Sequence, residues 1–270
     1  MTTTLATRPR RLRRSMTLTA AGSALLLAGH AHAWGSCEHK RVLEEQMTLG
    51  GADALSVRAG AGNLEIRGDG EAGRVELRAA VCASKAAWAE ETRLAMSGGS
   101  EAEVAVITPD TSGLMSWGNS YVYVDLELTV PEGLGLDVRD SSGDLEISGA
   151  GVVRVKDSSG DIEVRDAGSV TLEDSSGDIE LSRIAGDVTV VQDSSGDIRG
   201  RDIGGSALVA RDSSGGIRFE SVGGDFLVER DSSGDIVART VGGDFAVLRD
   251  GSGEIRHSDV RGEVELPEDR

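Results

Sequence analysis

The sequence is short of aromatics, of histidine and cysteine, and of positive charge, and each shortage narrows what the protein can be. Three Phe, three Trp and two Tyr beside 27% charged residues would suit a disordered chain. That reading fails here because apolar residues recur at strict intervals throughout. Lys and Arg number 28 against 46 Asp and Glu, a formal charge of −18. Such a surface repels nucleic acid and anionic headgroups, and suits solubility, cation binding or a basic partner. Only His39 and His257 lie beyond the first 33 residues, and neither sits in a nucleophile motif, so no Ser-His-Asp triad can be read. Cys37 and Cys82 have no C-x-x-C spacing and only His39 nearby, which leaves a zinc site unsupported. The longest apolar run, Leu18 to Gly29, is shorter than the roughly 20 residues that span a bilayer.

That run belongs to an expected signal peptide at residues 1–33. Arg8, Arg10, Arg11, Arg13 and Arg14 precede it, and Ala31-His32-Ala33 supplies an A-x-A cleavage site. Both general and twin-arginine export are open, and no stable membrane insertion is expected after cleavage. Removal of five Arg leaves 23 basic against 46 acidic residues. In an oxidising compartment Cys37 and Cys82 would pair and tie the new N-terminus to a strand, although two buried thiols are also open.

What is abundant is repetition. An Asp-Ser-Ser-Gly-Asp turn starts at Asp140, Asp157, Asp174, Asp193, Asp212, Asp231 and Asp250, at intervals of 17, 17 and then four times 19 residues. The fifth copy ends in Gly216 and the seventh reads Asp250-Gly251-Ser252-Gly253-Glu254. A segment alternating with period two follows each turn, as in Asp161-Ile162-Glu163-Val164, which marks a strand with one buried face. A second, glycine-bearing corner and another apolar segment complete each unit. A unit of this size cannot bury its apolar face alone, whereas stacked copies bury a continuous core. The expected fold is all-β: a single-stranded β-solenoid of 17–19-residue coils. A meander of hairpins is the alternative. In the longer coils the apolar pair before the Asp moves back by one residue, which predicts an added corner residue and a bulge from about Asp174 onward. Phe219, Phe226 and Phe245 are expected to fill the wider core.

Residues 34–51 read as a lead-in with helical character around Val42 to Met47. Residues 52–135 read as an N-terminal cap with degenerate coils and one short helix within Lys85 to Met96. Here Gly62-Asn63-Leu64-Glu65-Ile66 resembles Gly143-Asp144-Leu145-Glu146-Ile147, and a Ser/Gly loop holds Trp117. The tandem solenoid is expected over 136–266, with a charged tail at 267–270 that blunts the last edge.

The strand entering Val130-Pro131-Glu132-Gly133, the repeated Ser-Gly-Asp-[Ile/Leu]-x-[Val/Ile/Leu] unit and the Gly-Gly-Asp-Phe corner together resemble the putative-adhesin family of bacterial envelope β-strand-repeat proteins. The likeness covers residues 52–266, and the family is one of unknown function. It implies an exported envelope protein, with the periplasm as the leading location and the cell surface or medium as alternatives.

No catalytic or cofactor-binding residue stands out, because the acids occur on every turn and form no singular cluster. The leading expectation is a non-enzymatic scaffold or interaction surface for an envelope protein or glycan. A cell-surface adhesin binding glycan or protein comes second, and a carbohydrate-active enzyme third. Stacking would align Asp140, Asp157, Asp174, Asp193, Asp212, Asp231 and Asp250 in one column, and Asp144, Asp161, Asp178, Asp197 and Asp235 in another. The first six of the first column, Asp140 to Asp231, are weak calcium candidates. Otherwise both columns are expected as solvated corners bonding their own backbone, with Arg139, Lys156, Arg211, Arg230 and Arg249 as local counter-charges.

Overall fold

A computed structural model describes residues 37–110 and 120–267. The expected leader, the Trp117 loop and Glu268-Asp269-Arg270 lie outside the described residues. Before the repeats run β1 (His39–Thr48), β2 (Ala54–Arg58), β3 (Leu64–Gly70), β4 (Arg74–Ala83), α1 (Ala86–Glu91), β5 (Arg93–Ser97), β6 (Ala102–Ile107) and β7 (Val122–Pro131). Strand pairs then follow: β8 (Gly135–Arg139) with β9 (Leu145–Ser148), β10 (Val152–Lys156) with β11 (Ile162–Ala167), and β12 (Ser169–Glu173) with β13 (Ile179–Ile184). The wider coils hold β14 (Val188–Gln192) with β15 (Ile198–Ile203), β16 (Ala207–Val209) with β17 (Ile217–Val222), and β18 (Phe226–Val228) with β19 (Ile236–Val241). Last come β20 (Phe245–Val247), β21 (Ile255–Val260) and β22 (Val264–Glu265).

These strands form two 11-stranded sheets. From β8 onward consecutive strands alternate between the sheets, and each pairs in parallel with its counterpart one coil away, as β11 does with β13 and β12 with β14. The described residues therefore form a parallel β-solenoid with one short helix among them, and the hairpin meander is excluded. Alternation puts Leu145, Ile147, Ile162, Val164, Ile179 and Leu181 into the core from the first sheet. The second sheet answers with Val153, Val155, Val170, Leu172, Val188 and Val190.

The change of coil width falls where the spacing predicts it. Leu172 pairs with Val190 and Glu173 with Gln192, so Val191 is a bulge just before Asp193. The second extra residue enters the far corner, where Ala185-Gly186-Asp187 replaces Gly168-Ser169. The phenylalanines fill the wider interior: Phe219 and Phe226 face each other with ring centroids 4.7 Å apart, and Phe226 and Phe245 stand at 5.3 Å. Small residues beside them in register make the room, with Gly200 next to Phe219 and Ala207 next to Phe226.

At the far corner of the first repeat Gly149 takes a left-handed conformation, and in the six later repeats a non-glycine residue does so: Asp166, Arg183, Asp202, Ser221, Thr240 and Asp259 have φ between 53° and 61°. The bend lets two successive residues face outward before Ala167 or Ile203 turns back into the core, as Arg165-Asp166 and Arg201-Asp202 do. Each such residue costs about 1 kcal/mol or more, and stacking holds it in place.

The N-terminal region is threaded rather than stacked in order. β3 lies between β9 and the later β7, and β2 between β8 and the later β6. The first coil made is thus the second in space. β4 then runs back antiparallel between β7 and β1. The helical character expected at Val42–Met47 is wrong: these residues belong to β1, whose ten-residue register on β4 outweighs local preference. The expected disulfide Cys37–Cys82 is present, with a Cα–Cα distance of 5.8 Å, and ties the start of β1 to β4. The helix is shorter than its spacing suggests. It stops at Glu91, where the Arg41 guanidinium donates to the carbonyls of Ala89, Glu90 and Thr92 at 2.9–3.3 Å, and Arg93 to Ser97 continue as strand.

Candidate functional site

The Asp-Ser-Ser-Gly-Asp corner is the most singular chemistry of the chain, and its parts have separate tasks. Its glycine needs both positive φ and the lack of a side chain: Gly196 has φ 128°, and a Cβ there would collide with the carbonyl of Gly177 one coil below. The second serine staples coils together, as Ser176 Oγ donates to the Ser158 carbonyl at 3.3 Å and Ser214 Oγ to that of Ser194 at 3.0 Å.

The last aspartate of the corner builds an outer ladder. Asp161 Oδ1 accepts the backbone N–H of Asp178 at 2.9 Å, Asp178 that of Asp197 at 2.9 Å, and Asp197 that of Gly216 at 2.8 Å. The ladder extends downward through the threaded coil, where Asn63 Oδ1 accepts from Asp144 and Asp125 Oδ1 accepts from Asn63, both at 3.0 Å. Gly216 has no side chain to continue it, and it resumes from Asp235 to Glu254 at 3.0 Å. Arginines reach several rungs: Arg199 bonds Asp178 at 2.8 Å as well as Asp197, and Arg256 bonds Asp235 at 2.7 Å. The Arg199 hydrogen bond holds the Asp178 carboxyl below its ordinary pKa, and the Glu254 N–H does most to lower Asp235. A further ladder at the far corner was not anticipated. Asp187 accepts from Ser206, Ser206 Oγ from Asp225, Asp225 from Asp244 and Asp244 from Glu263, at 2.8–3.1 Å. Its signal was present in the recurrent Gly-Gly-Asp-Phe corner.

The first aspartate of the corner behaves in the opposite way, and here the expected solvation is corrected while the expected bonding to its own backbone is present. Asp140, Asp157, Asp174, Asp193, Asp212 and Asp231 are 0–7% exposed. The side chain folds inward over its own turn, where Asp174 Oδ1 accepts the Ser175 N–H at 2.6 Å and Asp193 Oδ1 those of Ser194 and Ser195 at 2.6 and 3.2 Å. Both carboxyl oxygens of Asp140, Asp157 and Asp212, and one each of Asp174, Asp193 and Asp231, are buried without a hydrogen bond of ordinary geometry, although the serine N–H groups of the same turn lie near enough to Asp140, Asp157 and Asp212 to favour their charged form. The anticipated counter-charges do not reach the column. Strand alternation turns Arg139 and Lys156 to the exposed side, Arg211, Arg230 and Arg249 are exposed beyond the ends of their strands, and Lys156 Nζ binds Glu173 at 2.8 Å instead.

Burial is the main cause that pushes these carboxyls up. Asp140 and Asp212 rise to about 7, and Asp157, Asp193 and Asp231 to about 6. At Asp212 the flanking Asp193 and Asp231 add to the rise, whereas at Asp140 the Ser141 N–H opposes it. The calcium candidates therefore lie in one buried file, one acid per coil. Among the described residues no group of three or more His, Cys, Asp or Glu is placed to hold a metal ion.

A groove of about 590 Å³ runs along the far corner from Arg183 to Arg261, over Gly204, Gly223 and Gly242. Stacking alone demands these glycines, since a Cβ on Gly223 would strike the Gly204 carbonyl. No helix among the described residues is long and apolar enough to cross a membrane.

The profile of the family described as Toastrack DUF4097 matches residues 100–260. No curated protein matches the sequence. Among solved structures the chain is similar to a putative adhesin from Bacteroides fragilis, at 11% identity and TM-score 0.47 over 84% of this chain and 97% of that one. It is also similar to a putative lipid binding protein from Parabacteroides distasonis, at 14% identity and TM-score 0.40 over 84% and 97%. A putative cell adhesion protein from Clostridium sporogenes aligns at 14% identity and TM-score 0.32 over 84% and 99%.

Proposed function

The chain belongs to the Toastrack DUF4097 family, and we propose that it acts without catalysis, as an exported envelope scaffold whose second sheet binds a protein partner. The outward row of that sheet carries the reading. A sheet face turned to water ordinarily presents polar residues. In the wide coils, however, Leu208, Leu227 and Ala246 stand side by side in register, and Leu248 beyond them is 49% exposed. A contiguous apolar row on a solvated face is the mark of an interaction surface. The first sheet differs. Its outward row runs through Glu146, Glu163 and Glu180 and then Arg199 and Arg218, and it is tied internally by pairs such as Arg165 with Glu146 and Glu163. A face that satisfies its own charges has less to gain from a partner.

The test is a pull-down from the envelope fraction with the full chain and with Leu227→Glu and Leu248→Glu. Loss of the captured protein by both variants, with thermal stability kept, supports the assignment. Equal capture by all three would reject this face. With the expected leader the proposed location is the periplasm, for which protection from protease on intact cells is the expected result. Cleavage there would favour the cell-surface adhesin reading. A panel of polysaccharides should remain uncleaved.

A further inference from the structure

We propose that the inner aspartate file is a proton-binding column, which takes up protons in mildly acidic surroundings and makes the solenoid tightest there. The geometry requires something of the kind. Six carboxyls, each at least nine-tenths buried, repeat once per coil, about 4.8 Å apart along a parallel sheet. Most of their oxygens are buried without a hydrogen bond of ordinary geometry, and the serine N–H groups of the turn offset burial only in part. The charged groups that act on them are themselves carboxylates: the neighbours above and below in the file, and Asp161 and Asp178 of the outer ladder. The exposed Arg and Lys before each corner face away, and the file begins above Ala59, since Arg58 pairs with Arg139.

A buried carboxylate without a cation is costly, and a row of them is costlier. A proton from solvent resolves both difficulties. It neutralises one acid, whose new O–H can donate to the unpartnered oxygen of the acid in the next coil, so that neighbours share protons along the file. Only an O–H bond is formed, and the proton is returned to water when the pH rises.

The direction follows from where each state holds its protons. The folded file keeps them up to about pH 6–7, whereas the unfolded chain releases them near the ordinary ~3.9. The stability they contribute is complete below about pH 4 and is lost as the pH rises through 6–7. The outer acids with lowered values, Asp166, Asp178 and Asp235, lose their pairs only below the ordinary carboxylate range, outside this window.

The experiment is thermal unfolding of the full chain from pH 4.5 to 8.5 in chelator, together with infrared detection of protonated carboxyl in the folded protein. The melting temperature should fall by roughly 5 °C or more between pH 5 and pH 8. A carboxylic-acid carbonyl band should be present at pH 5.5 and gone by pH 8.5. Asp193→Asn with Asp212→Asn should raise the melting temperature at pH 8 and flatten its pH dependence. If those variants fail to fold, the wild-type melting curve and infrared band decide alone. A flat melting curve without the band would overturn the proposal. So would calcium at pH 8 restoring all of the stability that acid provides, since the file would then be a cation site.

Discussion

Where a corner carries both aspartates, they stand four residues apart, have the same kind of side chain and meet opposite surroundings. The outer one lies at the surface, accepts the N–H of the next coil and in several repeats meets an arginine. The inner one is turned over its own turn into the corner, where the neighbouring acids and the strand backbone shut out water and cations alike. Repetition multiplies the difference. An outer aspartate adds one rung to a ladder, whereas an inner one adds one more like charge to a buried file. What decides the role is position relative to the backbone turn, and the residue type alone says little.

Both columns hang on the glycine between them, so the largest effect should come from there. Gly196→Ala places a Cβ against the Gly177 carbonyl in a region of φ that L side chains avoid, and it displaces both columns at once. A loss of about 3 kcal/mol or more is expected by urea unfolding, with protease sensitivity rising near the corner. A loss below about 1 kcal/mol would mean that the corner can open without cost to either column. The next effect should separate them by sign. At pH 8, Asp212→Asn removes a charge that burial opposes, and should stabilise by roughly 1–3 kcal/mol. Asp178→Asn at the same pH keeps a carbonyl for the Asp197 N–H but loses the Arg199 pair, and should destabilise by roughly 0.5–1 kcal/mol. At pH 4.5 the Asp212→Asn gain should largely vanish, because both residues are then neutral. Equal signs for the two variants would erase the distinction.

Much of this was readable in the sequence where one physical rule acts alone. The alternation of Ile162, Val164 and their counterparts disclosed the strands, and the one-residue shift before Asp193 disclosed the bulge at Val191. The burial of Asp193 was not readable, because an aspartate beside two serines is equally apt for a solvated turn, and only the inward fold of its side chain distinguishes the two. The left-handed residues escaped notice because their types differ from coil to coil. Their trace was the inward spacing stretching from two to three between Val164 and Ala167. In the N-terminal region the order of coils in space departs from the order in the chain, which no local pattern encodes. Asn63 alone hinted at it, since it fills the ladder position of Asp144 within a segment of matching alternation.

The smallest effect would sharpen the account of the outer ladder. Gly216 interrupts it: its own N–H is taken by Asp197, but it offers no oxygen to the coil above, and the ladder resumes only at Asp235. The backbone of Gly216 has no positive φ, and a Cβ there would lie at ordinary contact distance, 3.5 Å from Asp197 Oδ1 and 3.6 Å from the Asp235 carbonyl oxygen. Gly216→Asp can therefore be accommodated, and its Oδ1 should accept the Asp235 N–H as every other rung does. One added hydrogen bond and the loss of a flexible glycine favour the fold by roughly 0.5–1.5 kcal/mol together, against a like-charge cost that Arg199 and Arg218 at the surface reduce. The expected result is a rise in melting temperature of about 1–4 °C, with the amide of residue 235 gaining protection in hydrogen exchange. Gly216→Ala fills the same space without the acceptor and isolates the glycine contribution. If alanine stabilises as much as aspartate, the ladder adds nothing at this coil, and the outer column is a row of tolerated acids rather than a set of rungs.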